Sequence, residues 1–126
     1  MAWKVLVGMI AAANVLFGLW ALVFPAGVAE LVGFQLEGAA ATGEIRAVYG
    51  GLLAALGIVM AQALREENGA HALRALGLCF FGLVIGRLLS LRFDGLTTWT
   101  AATLAFEAAT GLLLHVARKA QAAKTA

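Results

Sequence analysis

A few charged and hydroxyl side chains interrupt the apolar segments of this sequence, and chemistry could take place at those positions. The segment GEIRAVYGG places Glu44, Arg46 and Tyr49 at the start of a long apolar run. Arg87 and Glu107 lie inside two later apolar runs. Arginine can clamp an anion, and a carboxylate can accept hydrogen bonds or act as a base. The residue types therefore predict an ionic binding site, provided that the surrounding elements bring these side chains together.

The composition indicates that lipid surrounds most of this chain. Of its 126 residues, 63% are hydrophobic and 13% are charged, whereas soluble domains carry roughly 25% charged residues. The length predicts a single domain, residues 1–126. The net charge of +2 is too small to indicate nucleic-acid binding. Cys79 is the one cysteine, and neither it nor the two histidines have a spacing that predicts a metal or another cofactor.

Four apolar stretches are long enough to cross a membrane as helices, which requires about 20 residues each. They cover about residues 3–24, 43–64, 72–91 and 98–116. Strands are a poor alternative, because the runs are long, rich in Ala and Leu, and lack alternation. We therefore predict an all-α integral membrane protein whose four spans form an up-and-down bundle.

The connection between the first two spans, residues 25–42, contains apolar residues and two glutamates. It is too short and too acidic to cross the membrane. We expect a loop that contains a one- or two-turn interfacial helix around Val28–Val32.

Basic residues predict the orientation, because cytoplasmic loops collect Lys and Arg. One side of the predicted membrane receives Lys4, Arg65, Arg74, Arg118, Lys119 and Lys124. The opposite side has Arg92 beside three acidic residues. We therefore expect both termini in the cytoplasm and, in a bacterium, a multi-pass protein of the inner membrane.

Small residues recur in every span, and helices in lipid associate through close packing of such residues. Examples are Gly18 in the first span and Gly57 in the second. The third span contains the pair Gly82-xxx-Gly86. We expect these glycines to pack within the bundle, although the pair could also serve a homodimer.

The depth of each polar residue along its helix predicts a shared cavity in the outer half of the membrane. Its candidate ligand-binding residues are Asn14, Glu44, Arg46, Tyr49, Arg87, Ser90, Asp94 and Glu107. Charges at this depth face the interior and pair. Arg87 with Glu107 is the first-choice pair, and Arg46 with Glu44 or Asp94 is the second. No catalytic residue is assigned, because there is no nucleophile or metal set.

Two interpretations of this polar set remain open. In the first, the ions form a closed network that fixes the register of the helices. In the second, they line a pocket or path for a small polar or amphiphilic ligand. Buried ion pairs rarely stabilise a fold more than apolar replacements do, which favours the second interpretation.

The segments GEIRAVYGGLLAALG and IGRLLSLRFDG, followed by a glutamate in the last span, carry a family resemblance. The chain resembles the family called domain of unknown function 4345, which comprises small bacterial four-helix membrane proteins similar to DoxX-like proteins. The resemblance covers nearly the whole chain. It implies the same architecture and selects Glu44, Arg46, Tyr49, Gly50, Gly51, Gly86, Arg87, Ser90, Asp94, Gly95 and Glu107. It implies no agreed activity.

The leading functional hypothesis is a membrane protein that binds or passes a small polar or amphiphilic ligand or a lipid headgroup. The alternative is a structural or assembly subunit of a membrane complex, since some DoxX-like proteins are partners of redox enzymes. An intramembrane enzyme that uses Glu107 or Glu44 as a base is a third and weaker hypothesis. The expected partners are membrane lipids, a small molecule, and a second copy or another membrane protein; nucleic acid is not expected.

Overall fold

The structure, a computed structural model, describes residues 2–125, with side chains for residues 2–123. All elements in these residues are helical, and no strand occurs among them. The helices are α1 (Ala2–Val23), α2 (Pro25–Val32), α3 (Gly38–Glu44), a π-helix (Ile45–Leu52), α4 (Leu53–Ala63), α5 (Gly69–Phe93) and α6 (Thr98–Thr125). The predicted all-α class is confirmed.

Four helical segments are long and apolar enough to cross a membrane: Ala2–Val23, Gly38–Ala63, Gly69–Phe93 and Thr98–Ala123. The second comprises α3, the π-helix and α4. Each contains one of the four predicted spans almost entirely. The helices extend further than predicted: α3 begins at Gly38, before Gly43, and α6 continues beyond Val116 to Thr125. The reason is that a helix continues as long as its backbone hydrogen bonds do, whereas hydropathy marks only the part that lipid can cover.

Large apolar side chains are exposed along these segments, as they are in a protein that lipid surrounds. Leu16, Leu78, Ile85 and Leu112 are each 60–68% exposed. Water would solvate so much contiguous apolar surface poorly, whereas the acyl chains of a bilayer cover it without cost. The chain is a multi-pass membrane protein.

The chain divides into two compact units, one comprising Gly8–Ala61 and the other comprising residues 1–7 and 62–126. In the Gly8–Ala61 unit, α1 runs antiparallel to the π-helix and α4. A Cβ added at Gly18 would lie 2.7 Å from the Gly50 carbonyl oxygen, and one added at Gly57 would lie 2.5 Å from the Ala11 carbonyl oxygen. These two glycines therefore allow the close helix packing that the sequence predicts.

The short helix predicted after the first span is observed as α2, and its position at the membrane interface stays a prediction. Pro25 occupies its first turn, where the missing N–H costs nothing. Gly33 ends it with φ 80°, and its N–H contacts the carbonyl oxygens of Ala29 and Glu30. Val28 and Ala29 are buried in an apolar cluster with Ala21 and Ile45, so α2 is held against the helices of its own unit.

The other unit contains the antiparallel hairpin of α5 and α6. Leu73, Leu76, Phe80 and Leu114 are buried there, and a Cβ at Gly77 would be in ordinary contact with Leu114. The order of the helices is therefore up and down within each unit, as predicted.

Both ends of this hairpin are fixed by polar contacts. At the α5–α6 turn, Thr97 caps α6 by accepting a hydrogen bond of 3.0 Å from the N–H of Thr100. At the opposite end, the buried Gln121 amide donates to the carbonyl oxygens of Ala63 (3.1 Å) and Glu66 (2.8 Å). These bonds satisfy backbone groups that helix ends leave unpaired.

Gly82 and Gly86 do not take part in the contact between α5 and α6. Their packing within the complete bundle stays a prediction. Both residues are exposed, and a Cβ on either would have no described atom within 4 Å. The physical reason is the phase of the helix. α5 contacts α6 through the face that carries Leu76 and Phe80, and Gly82 lies two residues from Phe80, about 200° around the helix.

Substituting alanine at Gly57 tests the close packing in the Gly8–Ala61 unit. The added methyl group would overlap the Ala11 carbonyl oxygen and the Val15 side chain. We expect the free energy of unfolding in detergent micelles to fall by roughly 1–3 kcal/mol, measured by denaturant titration with circular dichroism.

Gly82→Ala is the matched control, since the same substitution there meets open space. We expect the control to change stability by less than about 0.5 kcal/mol or to stabilise the helix slightly. Equal losses for the two variants would contradict the close approach of α4 to α1 at Gly57.

Candidate functional site

The hairpin of α5 and α6 brings together the two most deeply placed opposite charges of the sequence. Because α5 and α6 are antiparallel and joined by a short turn, Arg87 near the end of α5 faces Glu107 near the start of α6. The guanidinium Nη2 donates to Glu107 Oε1 at 3.2 Å. Nε lies 3.4 Å from Oε1 and 3.3 Å from Oε2. The first-choice pairing predicted from depth is confirmed, and it is the one ion pair among the described residues.

The two partners of this pair differ in exposure. The Glu107 side chain is 8% exposed, whereas that of Arg87 is 26% exposed. A guanidinium has five N–H donors, and the bonds to Glu107 use only Nε and Nη2. Within the described residues, the Nη1 amino group has no hydrogen-bond partner. The Nη1 amino group can therefore donate hydrogen bonds to a further anion or carbonyl oxygen.

The threonines of α6 near Glu107 fall into two groups. Near the start of the helix, the Thr103 hydroxyl donates to the Trp99 carbonyl oxygen at 2.8 Å, and the hydroxyl of Thr100 contacts that of Thr97. One turn beyond Glu107, Thr110 is only 1% exposed, and its Oγ1 has no hydrogen-bond partner in the described residues. A buried hydroxyl without a partner is costly and calls for an explanation.

Ser90 and Asp94 contact each other and not the ion pair. The Ser90 hydroxyl donates to Asp94 Oδ2 at 2.7 Å, and the Asp94 N–H donates to the Ser90 carbonyl oxygen, also at 2.7 Å. Gly95 follows with φ 93°. These residues form the C-terminal cap of α5, so the contact between Ser90 and Asp94 has a local structural role.

The predicted residues of the Gly8–Ala61 unit have local partners as well. Asn14 is buried, and its amide donates to the Ile10 carbonyl oxygen of its own helix at 2.9 Å. Arg46 is exposed, and its Nε donates to the Leu22 carbonyl oxygen at 3.1 Å. It therefore does not form the predicted pair with Glu44, which is exposed. That these residues join Arg87 and Glu107 in one cavity stays a prediction.

Sequence reasoning missed the π-helix, Ile45–Leu52. It carries Arg46 and Tyr49, and helices of this type are rare and often lie at functional sites. The glycine pair of YGG lies within this π-helix: Gly50 is buried, and a Cβ there would lie 2.8 Å from Leu22. The sequence predicted that glycines allow close helix packing, but no amino-acid composition identifies the i→i+5 hydrogen bonds of a π-helix.

An open groove of about 460 Å³ lies beside the π-helix. Its lining is mostly apolar and includes Phe34, Leu36 and Val48. Glu44 is its one charged residue, and the Tyr49 ring packs edge-on against Phe34 with centroids 6.1 Å apart. This groove places two of the predicted residues in an environment suited to an apolar chain rather than to an ion.

Comparison with known proteins identifies a family for this chain. The model of the family described as Domain of unknown function (DUF4345) matches residues 2–118. No curated protein and no solved structure matches the chain.

A double-mutant cycle tests the energetics of the Arg87–Glu107 pair. Arg87→Leu leaves a buried carboxylate without its partner and should lower the free energy of unfolding by roughly 3–5 kcal/mol. Glu107→Leu should cost less, because the more exposed guanidinium can reach toward the membrane surface. Combining both changes should restore most of the loss, since apolar pairs often replace buried ion pairs without a penalty.

Denaturant titration in lipid–detergent micelles measures the free energy of unfolding of the wild type, the two single variants and the double variant. Arg92→Leu is the control, because Arg92 is an exposed arginine of the same helix. It loses only a contact with the Phe93 ring, so the free energy of unfolding should fall by less than about 1 kcal/mol. Additive losses in the double variant would mean that the two side chains do not interact.

Proposed function

This chain belongs to the DUF4345 family, and we propose that it is an intramembrane binding protein. Its ligand is a small polar or amphiphilic molecule, or a lipid headgroup, with an anionic or carbonyl oxygen that contacts the Arg87–Glu107 pair. The binding group is the side of the Arg87 guanidinium that Glu107 does not occupy.

The observation that carries this proposal is the incomplete hydrogen bonding of the Arg87 guanidinium, the partner of the buried Glu107 carboxylate. Glu107 is enclosed and bound by one partner, while that partner retains an open amino group. A pair that served stability alone would gain from complete hydrogen bonding or from apolar replacement. Its open donor therefore supports a role in binding.

Thr110 adds a second polar group on the same helix face. It lies three residues beyond Glu107 and thus about 4.5 Å along the helix. Its buried hydroxyl, which has no partner in the described residues, offers a donor and an acceptor to a bound molecule. A ligand that contacts both residues would carry at least two polar atoms.

The proposed location is a bacterial inner membrane with both termini in the cytoplasm. Its support is the distribution of Lys and Arg. Arg92 lies in the last turn of α5, beside the α5–α6 turn, and the other flanking basic residues lie at the opposite ends of the spans. In this orientation the Arg87–Glu107 pair lies in the outer half of the bilayer.

Native mass spectrometry of the full chain, extracted in mild detergent, tests the proposed binding. The wild-type protein should retain a small molecule that the double variant Arg87→Leu, Glu107→Leu loses. Circular dichroism establishes that this variant keeps its helices, so that loss of the molecule is not loss of the fold. The variant Arg92→Gln should retain the molecule as well as the wild type does.

Two results would contradict the proposal. One is a wild-type protein that carries nothing, and the other is a double variant that retains the same molecule. A stoichiometric protein partner that only the double variant loses would instead assign the pair to assembly, which is the alternative function.

A further inference from the structure

A second groove lies at the other end of the α5–α6 hairpin, away from the Arg87–Glu107 pair. It has a volume of about 300 Å³. Three basic side chains line it: Arg74 from α5, and His115 and Arg118 from α6. The rest of its lining includes Gly77, Leu78 and Phe81. We call it the basic groove.

Helical spacing separates the charged part of the basic groove from its apolar part. Arg74, Leu78 and Phe81 follow i, i+4, i+7 spacing and share one face of α5. Leu78 and Phe81 lie roughly 6 and 10 Å further along the helix than Arg74. His115 and Arg118 are three residues apart on α6 and also share a face. The groove thus has a cationic entrance at the helix ends and an apolar wall toward the middle of the span.

Gly77 contributes no side chain to the lining of this groove. It is buried between the helices, whereas Phe81 lies over Gly111, where an added Cβ would be 3.1 Å from the ring. The absence of a side chain at Gly77 leaves the surface between α5 and α6 recessed. A chain-like molecule can lie along it.

The two arginines of the basic groove are not neutralised by the protein. Within the described residues, neither Arg74 nor Arg118 forms an ion pair, and no side-chain hydrogen bond involves either residue. Glu66 and Glu67, in the turn before α5, are exposed, and neither forms an ion pair with these arginines. Two like charges that line one groove and have no paired carboxylate favour binding of an anion.

We propose that the basic groove binds the phosphate of an anionic phospholipid. Arg74 and Arg118 contact the phosphodiester, which guanidinium groups recognise well, and His115 adds a ring donor. One acyl chain lies along Leu78 and Phe81. The apolar wall distinguishes a lipid from free phosphate, which would gain nothing from it, and basic pockets between membrane helices are known to bind acidic headgroups. This site shares no residue with the proposed function and stands independently of it.

The test is a lipid titration of the delipidated full chain, followed by native mass spectrometry. Dioleoyl phosphatidylglycerol and dioleoyl phosphatidylcholine serve as probes, because they have the same acyl chains and differ in headgroup charge. We expect the first phosphatidylglycerol to bind at least about fivefold more tightly than phosphatidylcholine. Arg74→Gln and Arg118→Gln should each weaken phosphatidylglycerol binding by about fivefold and leave phosphatidylcholine binding unchanged.

Three further variants make the test specific. The double variant Arg74→Lys, Arg118→Lys keeps both charges and should keep the preference for phosphatidylglycerol. Leu78→Ala should weaken both lipids, because it shortens the apolar wall. Arg92→Gln, which removes an exposed arginine from the other end of α5, should change neither.

Several results would overturn the inference. Equal binding of the two lipids would show that the groove recognises acyl chains only. An unchanged preference in both glutamine variants would place the anion elsewhere. Displacement of phosphatidylglycerol by equimolar inorganic phosphate would assign the groove to a free anion. If loss of phosphatidylglycerol from the basic groove leaves the small molecule at Arg87 and Glu107 in place, the two sites are separate, as proposed.

Discussion

The central constraint on this protein is the placement of a carboxylate and a guanidinium inside segments that lipid surrounds. A charge at the middle of a bilayer costs about 2.5–3.5 kcal/mol on insertion scales, so Glu107 requires a partner within hydrogen-bond distance. Arg87 is that partner, at 3.2 Å. The requirement determines how α5 and α6 align, because the contact forms only if the two residues lie at the same depth of an antiparallel hairpin.

Apolar packing and small residues supply what the ion pair does not. In the hairpin, buried leucines and Phe80 hold the two helices together, and hydrogen bonds from Gln121 fix the opposite end. In the Gly8–Ala61 unit, Gly18 and Gly57 permit backbone approach without any charge. Close packing is the main attraction between helices in lipid, so each unit combines a tight apolar contact with few polar contacts. The polar groups without a hydrogen-bond partner among the described residues, such as the Thr110 hydroxyl, are therefore the best candidates for contacts with a ligand.

The sequence predicted the features that depend on hydropathy, charge and depth. The four spans, the short helix after the first span and the pairing of Arg87 with Glu107 follow from the length of apolar runs and the 1.5 Å rise per residue. Features that depend on tertiary phase or local geometry were missed. Gly82 and Gly86 match a packing motif but lie on a face of α5 that does not contact α6, and a motif does not specify which side of a helix meets its neighbour.

Local hydrogen bonds give two of the predicted site residues partners that the sequence did not indicate. The Asn14 amide is satisfied by its own helix and Arg46 by the Leu22 carbonyl oxygen. Both are main-chain acceptors, which a prediction from side-chain charges does not consider. The π-helix that carries Arg46 and Tyr49 belongs to the same class, because its wider turns depend on backbone geometry.

Solid-state NMR of the protein in lipid bilayers tests the central pairing most directly. With ¹⁵N-labelled arginine and ¹³C-labelled glutamate, we predict a dipolar contact between a guanidinium and a carboxyl group that Glu107→Gln or Arg87→Leu removes. The 3.2–3.4 Å separations between the nitrogen and oxygen atoms place the two groups in direct contact. If no contact depended on these two residues, and the Arg87 guanidinium instead lay beside lipid phosphate, the pairing of Arg87 with Glu107 and the alignment of α5 with α6 that depends on it would both be wrong.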